Sequence, residues 1–397
     1  MIRKSTKIIS VILSILMLAG AFACVSYAKT SEEADTKLQF NADGEFKILQ
    51  IADMQDGWPM KTITKNLIRA AVEAEQPDLI VLTGDNINSS AGESAVMAPL
   101  AINEFMSIFE EFGVPVASVF GNHDAEGNVS RAQQMEMYEK YDCFIGCAGA
   151  DFGDYTCGTY YVPLYSSTDA DDMIFNLWMI DSGDYNKEND LGGYAAVTKA
   201  QIEWYNETCA DLAQANGGEV VPALAFQHIV VPEIFDALEV ADAESGTISA
   251  EINGEKVYYK LPEGSVGVLP EYPCPPAYNN GEFSSFVENG DVLALFFGHD
   301  HHNTYEVEYL GIKLCNTPGA GFASYNGENT GVRTITLYED DLENFTTEVH
   351  TYFDYFDTDS ARFLYELNSD TTGTITKIKA FFLYVFEMLK GFGGFSL

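Results

Sequence analysis

Basic residues are scarce in this chain. Its 397 residues include 60 acidic side chains but only 21 lysines and arginines, which gives a formal net charge of -39. A surface of this kind repels nucleic acids and anionic lipids, and no Lys/Arg-rich stretch offsets the repulsion. We therefore expect no nucleic-acid partner. A small phosphate ester can still bind where a metal ion supplies local positive charge.

Zinc-binding cysteine spacings and internal repeats are also missing. None of the cysteines beyond the N-terminal segment has the C-x-x-C spacing, which argues against a cysteine zinc site. The absence of a repeat excludes solenoids and propellers. Export would permit disulfides, although their pairing cannot be read from spacing, and Cys315 is expected in the core. The six cysteines are Cys143, Cys147, Cys157, Cys209, Cys274 and Cys315.

The N-terminal segment, residues 1–28, has the pattern of an export signal. Arg3, Lys4 and Lys7 precede the apolar run IISVILSILMLAGAFA, and small residues stand before a cleavage point after Ala28. We predict a secreted or cell-surface protein. An uncleaved anchor and lipidation at Cys24 remain as alternatives.

The rest of the chain divides into three segments. Residues 29–45 are predicted to be a polar lead-in, and residues 46–357 alternate strand-like and helical runs, as is typical of a layered α/β domain. Within that domain, the proline-rich stretch 236–289 predicts an irregular excursion, and four late strand-like runs are expected to close a second sheet. Residues 358–397 are predicted to be a linker and an apolar or amphipathic helix, which either docks on the domain or contacts a membrane or cell wall.

Five clusters of metal-binding side chains each follow an apolar run. The runs ILQIA, LIVLT, VASVF, ALAF and LALFF are typical of buried parallel strands. Ligands in such sheets bind beyond the carboxyl ends of the strands, so we expect the clusters to meet at one edge. A carboxylate such as Asp85 can bridge two divalent cations. The clusters are Asp53, Gly84-Asp85, Gly121-Asn122-His123-Asp124, His228 and Gly298-His299-Asp300-His301.

The order of these clusters resembles that of the calcineurin-like metallophosphoesterases, in the branch related to purple acid phosphatases. The similarity covers residues 41–357 and includes the segments FKILQIADM, VLTGDNI, MIDSGDY, PALAFQHIVVPE and FFGHDHHN. It implies a four-layer α/β fold, in which two packed mixed β-sheets are flanked by helices. It also implies a phosphatase that hydrolyses small phosphate esters, with monoesters as the first choice, through a hydroxide activated by two divalent metal ions.

The resemblance also implies a role for each site residue. His123 would contact the phosphoryl group and protonate the leaving alkoxide. From the residues themselves we expect Asp124 to orient this imidazole, as carboxylates commonly do for functional histidines. His299 and His301 are two apart, so on an extended segment both would point the same way and reach neighbouring metals. The first metal would take Asp53, Asp85 and His301, and the second Asp85, Asn122, His228 and His299.

One departure from the family pattern affects the first metal. The family usually has a histidine two residues after the first aspartate, or a tyrosine shortly after the GD pair, whereas this chain has Gln55 and Asn88. The first metal is therefore expected to bind weakly, and a carboxamide ligand suits manganese or magnesium better than zinc, with iron also open. A phosphodiesterase or nucleotidase, and a catalytically weakened metal-binding module, remain as alternatives. Glu126 and Tyr185 are further candidates for the pocket.

Overall fold

The computed structural model describes residues 37–152, 157–187, 189–252 and 254–391. The export signal predicted at residues 1–28 lies outside the described residues, so it stays a prediction.

The strands form two large sheets and one small sheet. The seven-stranded sheet has the order β1-β5-β6-β7-β11-β13-β12, the five-stranded sheet β15-β14-β2-β3-β4, and the three-stranded sheet β8-β10-β9. Both large sheets mix parallel and antiparallel pairs. The bounds are β1 Leu38–Gln39, β2 Glu45–Ile51, β3 Leu79–Thr83, β4 Val116–Val119, β5 Tyr160–Tyr165, β6 Met173–Met179, β7 Ala223–Phe226, β8 Glu239–Ala241, β9 Ile248–Ile252, β10 Glu255–Lys260, β11 Val292–Phe297, β12 Glu306–Tyr309, β13 Ile312–Asn316, β14 Gly331–Tyr338 and β15 Phe345–Thr351.

Helices cover the outer faces of the two large sheets. The helix that follows Thr198 begins with a capping box: the side chain of Thr198 accepts a hydrogen bond from the backbone N–H of Gln201, and the side chain of Gln201 accepts one from the backbone N–H of Thr198. The bounds are α1 Thr62–Glu75, α2 Ser89–Gly92, α3 Met97–Phe112, α4 Arg131–Tyr138, α5 Lys199–Ala215, α6 Ile234–Ala237, α7 Glu282–Asn289, α8 Tyr352–Tyr355, α9 Asp359–Asn368 and α10 Thr374–Gly391.

The two large sheets pack face to face. Alternate residues of β3 show this, because Leu79 and Val81 join the core between the sheets, whereas Ile80 and Leu82 join the core beneath the helices. Burial on both faces explains why the first four residues of β3 are all apolar. The result is the four-layer α/β sandwich that the resemblance implied, and the five apolar runs are strands, as predicted.

Three segments differ from the sequence predictions. Residues 38–40 are part of the fold rather than a polar lead-in, since β1 pairs with β5 and Phe40 is buried. The stretch 236–289 contains the three-stranded sheet and α7, because β10 supplies antiparallel pairing for both β8 and β9. The late strands do not close one sheet: β12 and β13 extend the seven-stranded sheet, whereas β14 and β15 complete the five-stranded sheet.

Five cysteines in the described part of the chain are free thiols and form no cross-links. Cys143, Cys157, Cys209, Cys274 and Cys315 are not in disulfides. Cys315 is fully buried between the sheets, as predicted. Burial raises the pKa of its thiol to about 12. This thiol is therefore an apolar packing group rather than a nucleophile.

The C-terminal segment forms two packed helices, α9 and α10. Ala380 of α10 is fully buried, whereas Ile375 and Phe382 are 72% and 66% exposed. The helix therefore docks along one side and leaves an apolar side uncovered. Among the described residues, no helix is both long enough and apolar enough to cross a membrane.

A buried arginine joins the two large sheets. Arg333 of β14 donates to Glu306 Oε1 of β12 at 2.7 Å and to the carbonyl oxygen of Asn316 at 2.9 Å. We expect Arg333→Met to lower the free energy of unfolding by about 3–5 kcal/mol, because it leaves Glu306 without its buried partner. Urea unfolding would measure the change. Arg69→Met is the matched control and should cost less than about 1 kcal/mol, because its pair with Glu111 is exposed. Equal losses would contradict this assignment.

Candidate metal centre

The five-stranded sheet supplies three of the predicted ligands. Asp53, Asp85 and Asn122 lie just beyond the carboxyl ends of β2, β3 and β4, and all three are buried. Asp53 and Asp85 have φ angles of 50° and 49°, in the left-handed region that residues other than glycine rarely adopt. Strained backbone of this kind is concentrated at functional sites, and here it turns each carboxylate back across the sheet edge.

Two glycines in the motifs leave room for these carboxylates. A Cβ atom on Gly121 would lie 2.1 Å from Asp85 Oδ1, and one on Gly298 would lie 2.4 Å from Asp53 Oδ2. Any side chain there would displace the carboxylate. The close approach of loop to carboxylate therefore explains the glycines of GNHD and GHDH.

The seven-stranded sheet supplies the imidazoles. His228 follows β7, while His299 and His301 follow β11. His299 has a φ of 71°, and residues 299–302 form a bend and turn, so the prediction of an extended segment is wrong. The two side chains still converge, because the bend carries both rings toward the carboxylates of the other sheet. The site thus lies where the edges of two sheets meet, not at the edge of one.

Lone pairs from four side chains, those of His228 and three neighbours, converge on one point. Its Nδ1 lies 2.9 Å from the carbonyl oxygen of Thr83, so Nδ1 carries the proton and Nε2 presents its lone pair. Nε2 lies 3.3 Å from Asp85 Oδ2 and 3.2 Å from Asn122 Oδ1. His299 Nδ1 also lies 3.2 Å from this nitrogen. When His228 is neutral, these acceptors have no proton between them, and such an arrangement suits a cation.

A second group lies beside the first. His301 Nδ1 contacts the carbonyl oxygen of Tyr325 at 2.9 Å, which leaves Nε2 to face Asp53 Oδ1 at 3.3 Å. Asp53 Oδ1 is buried without a hydrogen-bond partner, whereas Oδ2 accepts from the backbone N–H of His299 at 2.9 Å. The orphaned oxygen and the free nitrogen fit a second cation. The structure thus brings Asp53 and His301 together, and Asp85, Asn122, His228 and His299 together. The resemblance assigns Asp85 to both metals, and that sharing stays a prediction.

The pKa values of two imidazoles shift in opposite directions at this site. Burial opposes protonation of His228, but the carboxylates of Asp85 and Asp53 outweigh it and raise the pKa of His228 to about 10. Burial, together with the charge on His228, holds the pKa of His299 well below its ordinary value. Divalent cations would satisfy the same carboxylates without forcing a buried imidazole to carry the charge.

His123 lies at the open side of the cluster. Its side chain is 35% exposed, and its Nε2 lies 4.0 Å from Asp85 Oδ2. Its Nδ1 contacts Glu126 Oε2 at 2.8 Å. Glu126 also accepts from the hydroxyl of Tyr185 at 2.5 Å, and that hydroxyl accepts from Asn122 Nδ2 at 3.2 Å. Both pocket candidates, Glu126 and Tyr185, therefore belong to the site.

Asp124 does not orient the imidazole, contrary to the prediction. Its carboxylate accepts from the backbone N–H groups of Gly121, Asn86 and Ile87 at 2.9–3.1 Å. The side chain therefore fastens the loop after β4 to the loop after β3. Burial and the nearby charge of Asp85 raise the pKa of Asp124 to about 6. Glu126 takes the orienting role because residues 123–125 form a 3-10 turn, which places the side chain three positions later beside His123.

The two residues that depart from the family pattern, Gln55 and Asn88, have different surroundings in the structure. Gln55 is buried with a φ of 42°, and its Nε2 lies 3.4 Å from Asp85 Oδ2, so its carboxamide faces the centre. Asn88 caps α2 by accepting from the backbone N–H of Ala91. Asp56 faces away, since it accepts from Lys61 N and Thr64 Oγ1. Gln55 is therefore the residue placed to replace the usual histidine.

We expect Gln55→His to tighten the first metal site. An imidazole would replace a weak carboxamide ligand beside Asp85, and affinity should rise by about tenfold or more. Titration calorimetry with manganese would measure the change. Gln76→His is the matched control, because Gln76 has a similar φ of 47° but is exposed at the end of α1. Unchanged affinity in Gln55→His would show that this side chain does not reach the metal.

Comparisons with known proteins found a matching family profile and several similar proteins. The profile of the calcineurin-like phosphoesterase family matches residues 46–303. Probable inactive purple acid phosphatase 14 of Arabidopsis thaliana is 29% identical over 84% of this chain and 85% of that protein. Phosphatase DCR2 of Saccharomyces cerevisiae is 27% identical over 80% of this chain and 54% of that protein. A dimetal phosphatase from Danio rerio aligns with a TM-score of 0.47 at 15% identity, over 77% of this chain and 96% of that one.

The family profile covers more than half of the chain, including every predicted metal ligand from Asp53 to His301. The order of motifs, the four-layer fold and the two groups of ligands at the sheet edges agree with it. The chain therefore belongs to the calcineurin-like phosphoesterases, a family of phosphoric ester hydrolases that depend on two metal ions.

Proposed function

We propose that this chain hydrolyses small phosphate monoesters. The observation that carries the proposal is the position of His123, which is oriented by Glu126 at one ring nitrogen and turns the other toward the open side of the metal ligands. When bound, the metal ions would activate water and neutralise charge on the phosphoryl group. The protein would contribute the proton that the leaving alkoxide needs.

The contact with Glu126 suits His123 to the role of general acid. The carboxylate accepts the Nδ1 proton, so it stabilises the imidazolium and leaves the Nε2 proton for the leaving oxygen. Burial opposes ionisation of Glu126, but hydrogen bonds from Ser89, Tyr185 and His123 outweigh it and lower its pKa. The carboxylate is therefore charged near neutral pH and can hold the proton on Nδ1.

The experiment compares two model esters. Metal-free protein would be loaded with manganese, iron, zinc or magnesium and assayed with p-nitrophenyl phosphate and with bis(p-nitrophenyl) phosphate. Faster hydrolysis of the monoester supports the proposal. Faster hydrolysis of the diester would favour the phosphodiesterase alternative, and selective hydrolysis of nucleoside monophosphates would favour a nucleotidase.

A catalytically weakened metal-binding module is the second candidate. Two observations favour it: Gln55 stands where the family usually has a histidine, and a relative carries the word inactive in its name. Against it, the name of another relative is simply Phosphatase DCR2. Metal binding by calorimetry without turnover of either ester would establish the module.

We also propose that the protein acts outside the cell. Support comes from the n-region, apolar run and small residues of segment 1–28. Expression of the full chain in a secreting bacterial host, followed by N-terminal sequencing of the exported protein, would test the proposal. A mature chain beginning at Lys29 is the expected result, whereas retention of the whole protein in the cytoplasm would contradict it.

The uncovered side of α10 supports a peripheral contact with a membrane. Ile378, Phe381 and Leu383 are exposed together with Ile375 and Phe382, and a soluble surface rarely leaves so many large apolar side chains uncovered on one helix. The net charge of -39 favours zwitterionic over anionic lipid. Cosedimentation with phosphatidylcholine vesicles should be lost in a Phe381→Ser, Phe382→Ser variant. Equal sedimentation of both proteins would contradict the contact.

A further inference from the structure

The rim of the metal centre carries an open aromatic ring on one side. Tyr185 stacks on Tyr194, with ring centroids 5.7 Å apart and an interplanar angle of 26°. Tyr194 in turn meets His299 edge-on, with centroids 4.4 Å apart. Tyr185 remains 38% exposed. One tyrosine at the rim is therefore fixed by its neighbours and still accessible to a ligand.

A second open ring lies near the other ligand group. Tyr325 stacks on His301, with centroids 3.9 Å apart and an angle of 8°. Its hydroxyl lies 3.4 Å from the carbonyl oxygen of His299. Although it lies against two predicted metal ligands, Tyr325 is 40% exposed. The two tyrosines thus flank the two groups of ligands.

Each of these tyrosines is paired with a glutamate. Tyr185 donates to Glu126, and Tyr325 donates to Glu271 Oε1 at 2.8 Å. Glu271 also accepts from the backbone N–H of His302 at 2.9 Å, which fixes its position. Donation to a carboxylate increases the electron density of a phenol ring, and a cation is attracted to the ring face. The rim therefore combines ring faces with fixed negative charge.

Cations near the rim are held by other partners. Arg131 is buried and donates to Asp181 at 2.8 Å and to the carbonyl oxygen of Gly183 at 2.8 Å. Lys187 forms an ion pair with Asp184 at 3.0 Å. Their charges are thus offset locally within the described part of the chain. A substrate with further anionic groups beyond its phosphate would meet carboxylates here instead of a compensating cation.

We propose that the site prefers phosphate monoesters whose leaving alcohol carries a substituted ammonium group, such as phosphocholine. This inference rests on the phosphomonoesterase activity proposed above. The phosphate would lie over the metals while the ammonium contacts the face of Tyr325 and the carboxylate of Glu271, because Glu126 on the other side is engaged with His123. Water supplies the oxygen that joins phosphorus, the bond from phosphorus to the choline oxygen breaks, and that oxygen takes a proton from His123. The products are choline and inorganic phosphate.

The experiment isolates the charge of the leaving group. The full chain, loaded with its most active metal, would be assayed with phosphocholine, with its neutral isostere 3,3-dimethylbutyl phosphate and with p-nitrophenyl phosphate. We expect kcat/KM for phosphocholine to exceed that for the isostere by about tenfold, because the ammonium group is attracted both to an aromatic face and to a carboxylate. Both esters have the same shape, so packing contributes equally to each.

Two variants test Tyr325 and Glu271 through the ratio of kcat/KM for phosphocholine to kcat/KM for the isostere. Tyr325→Leu should lower the preference about fivefold and Glu271→Gln about threefold, because each removes one attraction to the ammonium group. Loss of metal lowers both rates equally, so the ratio is insensitive to structural damage. Glu263→Gln is the matched control. Glu263 is an exposed carboxylate on the same loop as Glu271, between β10 and α7, and its replacement should leave the ratio unchanged.

The outcomes separate the two proposals. Equal kcat/KM values for phosphocholine and its isostere, beside clear hydrolysis of p-nitrophenyl phosphate, would overturn the cation preference and leave the phosphomonoesterase intact. A preference that survives both variants would overturn the assignment to Tyr325 and Glu271. No hydrolysis of any of the three esters, with every metal, would overturn the phosphomonoesterase and this inference with it.

Discussion

Asp85→Asn should abolish turnover while leaving the fold in place. Asp85 Oδ2 faces His228 at 3.3 Å, and Oδ1 accepts from the backbone N–H of His123 at 2.8 Å. Asparagine keeps the shape and one acceptor but removes the charge that a shared carboxylate gives to two cations. Because metal ions supply several kcal/mol of transition-state stabilisation, kcat/KM should fall by about 1000-fold or more.

Metal content provides a readout that does not depend on activity. Elemental analysis of Asp85→Asn should show fewer metal ions per chain than the parent, and added manganese should no longer raise the melting temperature, since a ligand stabilises only the state that binds it. Asp56→Asn is the matched control: its carboxylate is also buried, but it faces Lys61 and Thr64. That variant should keep its metal. Full metal content in Asp85→Asn would rule out the bridging role.

The proximity of three predicted metal ligands could be foreseen because parallel strands bring their carboxyl ends together. Asp53, Asp85 and Asn122 each follow an apolar run, and this pattern located them without any knowledge of tertiary contacts. The sequence did not reveal that His228 and His299 approach from a different sheet, because periodicity identifies strands but not their neighbours. The same limitation explains why the late strands were placed in one sheet when they divide between two.

The surroundings of the ligands were harder to predict. Glu126 lies three residues after His123, a spacing that brings side chains together in a helical turn but not in the extended loop that the motif suggested. Tyr325 and Glu271 are more than fifty positions apart, and only the folded loops bring the hydroxyl to the carboxylate. Glu126 could be named as a pocket candidate because it lies close to His123 in the sequence, whereas the contact of Tyr325 with Glu271 has no local sequence signal.

Replacement of His123 by alanine should separate chemistry from metal binding. The imidazole is the side chain placed to protonate the leaving group, and general acid catalysis is worth about 100-fold or more. We expect kcat for an alkyl phosphate such as glycerol 2-phosphate to fall by this factor. The loss should be smaller for p-nitrophenyl phosphate, whose leaving phenolate needs no proton. Elemental analysis should find the metal content unchanged, because the ring of His123 is not among the groups that converge on His228 and His301.

Two further variants define how His123 acts. Glu126→Gln should give an intermediate loss of about tenfold, because the amide can still contact Nδ1 but no longer stabilises the imidazolium. His350→Ala is the matched control, since this histidine lies on the edge strand β15, where it contacts Thr334, and should leave turnover unchanged. An equal loss for both esters in His123→Ala would mean that the imidazole binds the phosphoryl group without donating the proton. Loss of metal would instead place His123 among the ligands, and the orientation of its ring by Glu126 would then have to serve metal binding.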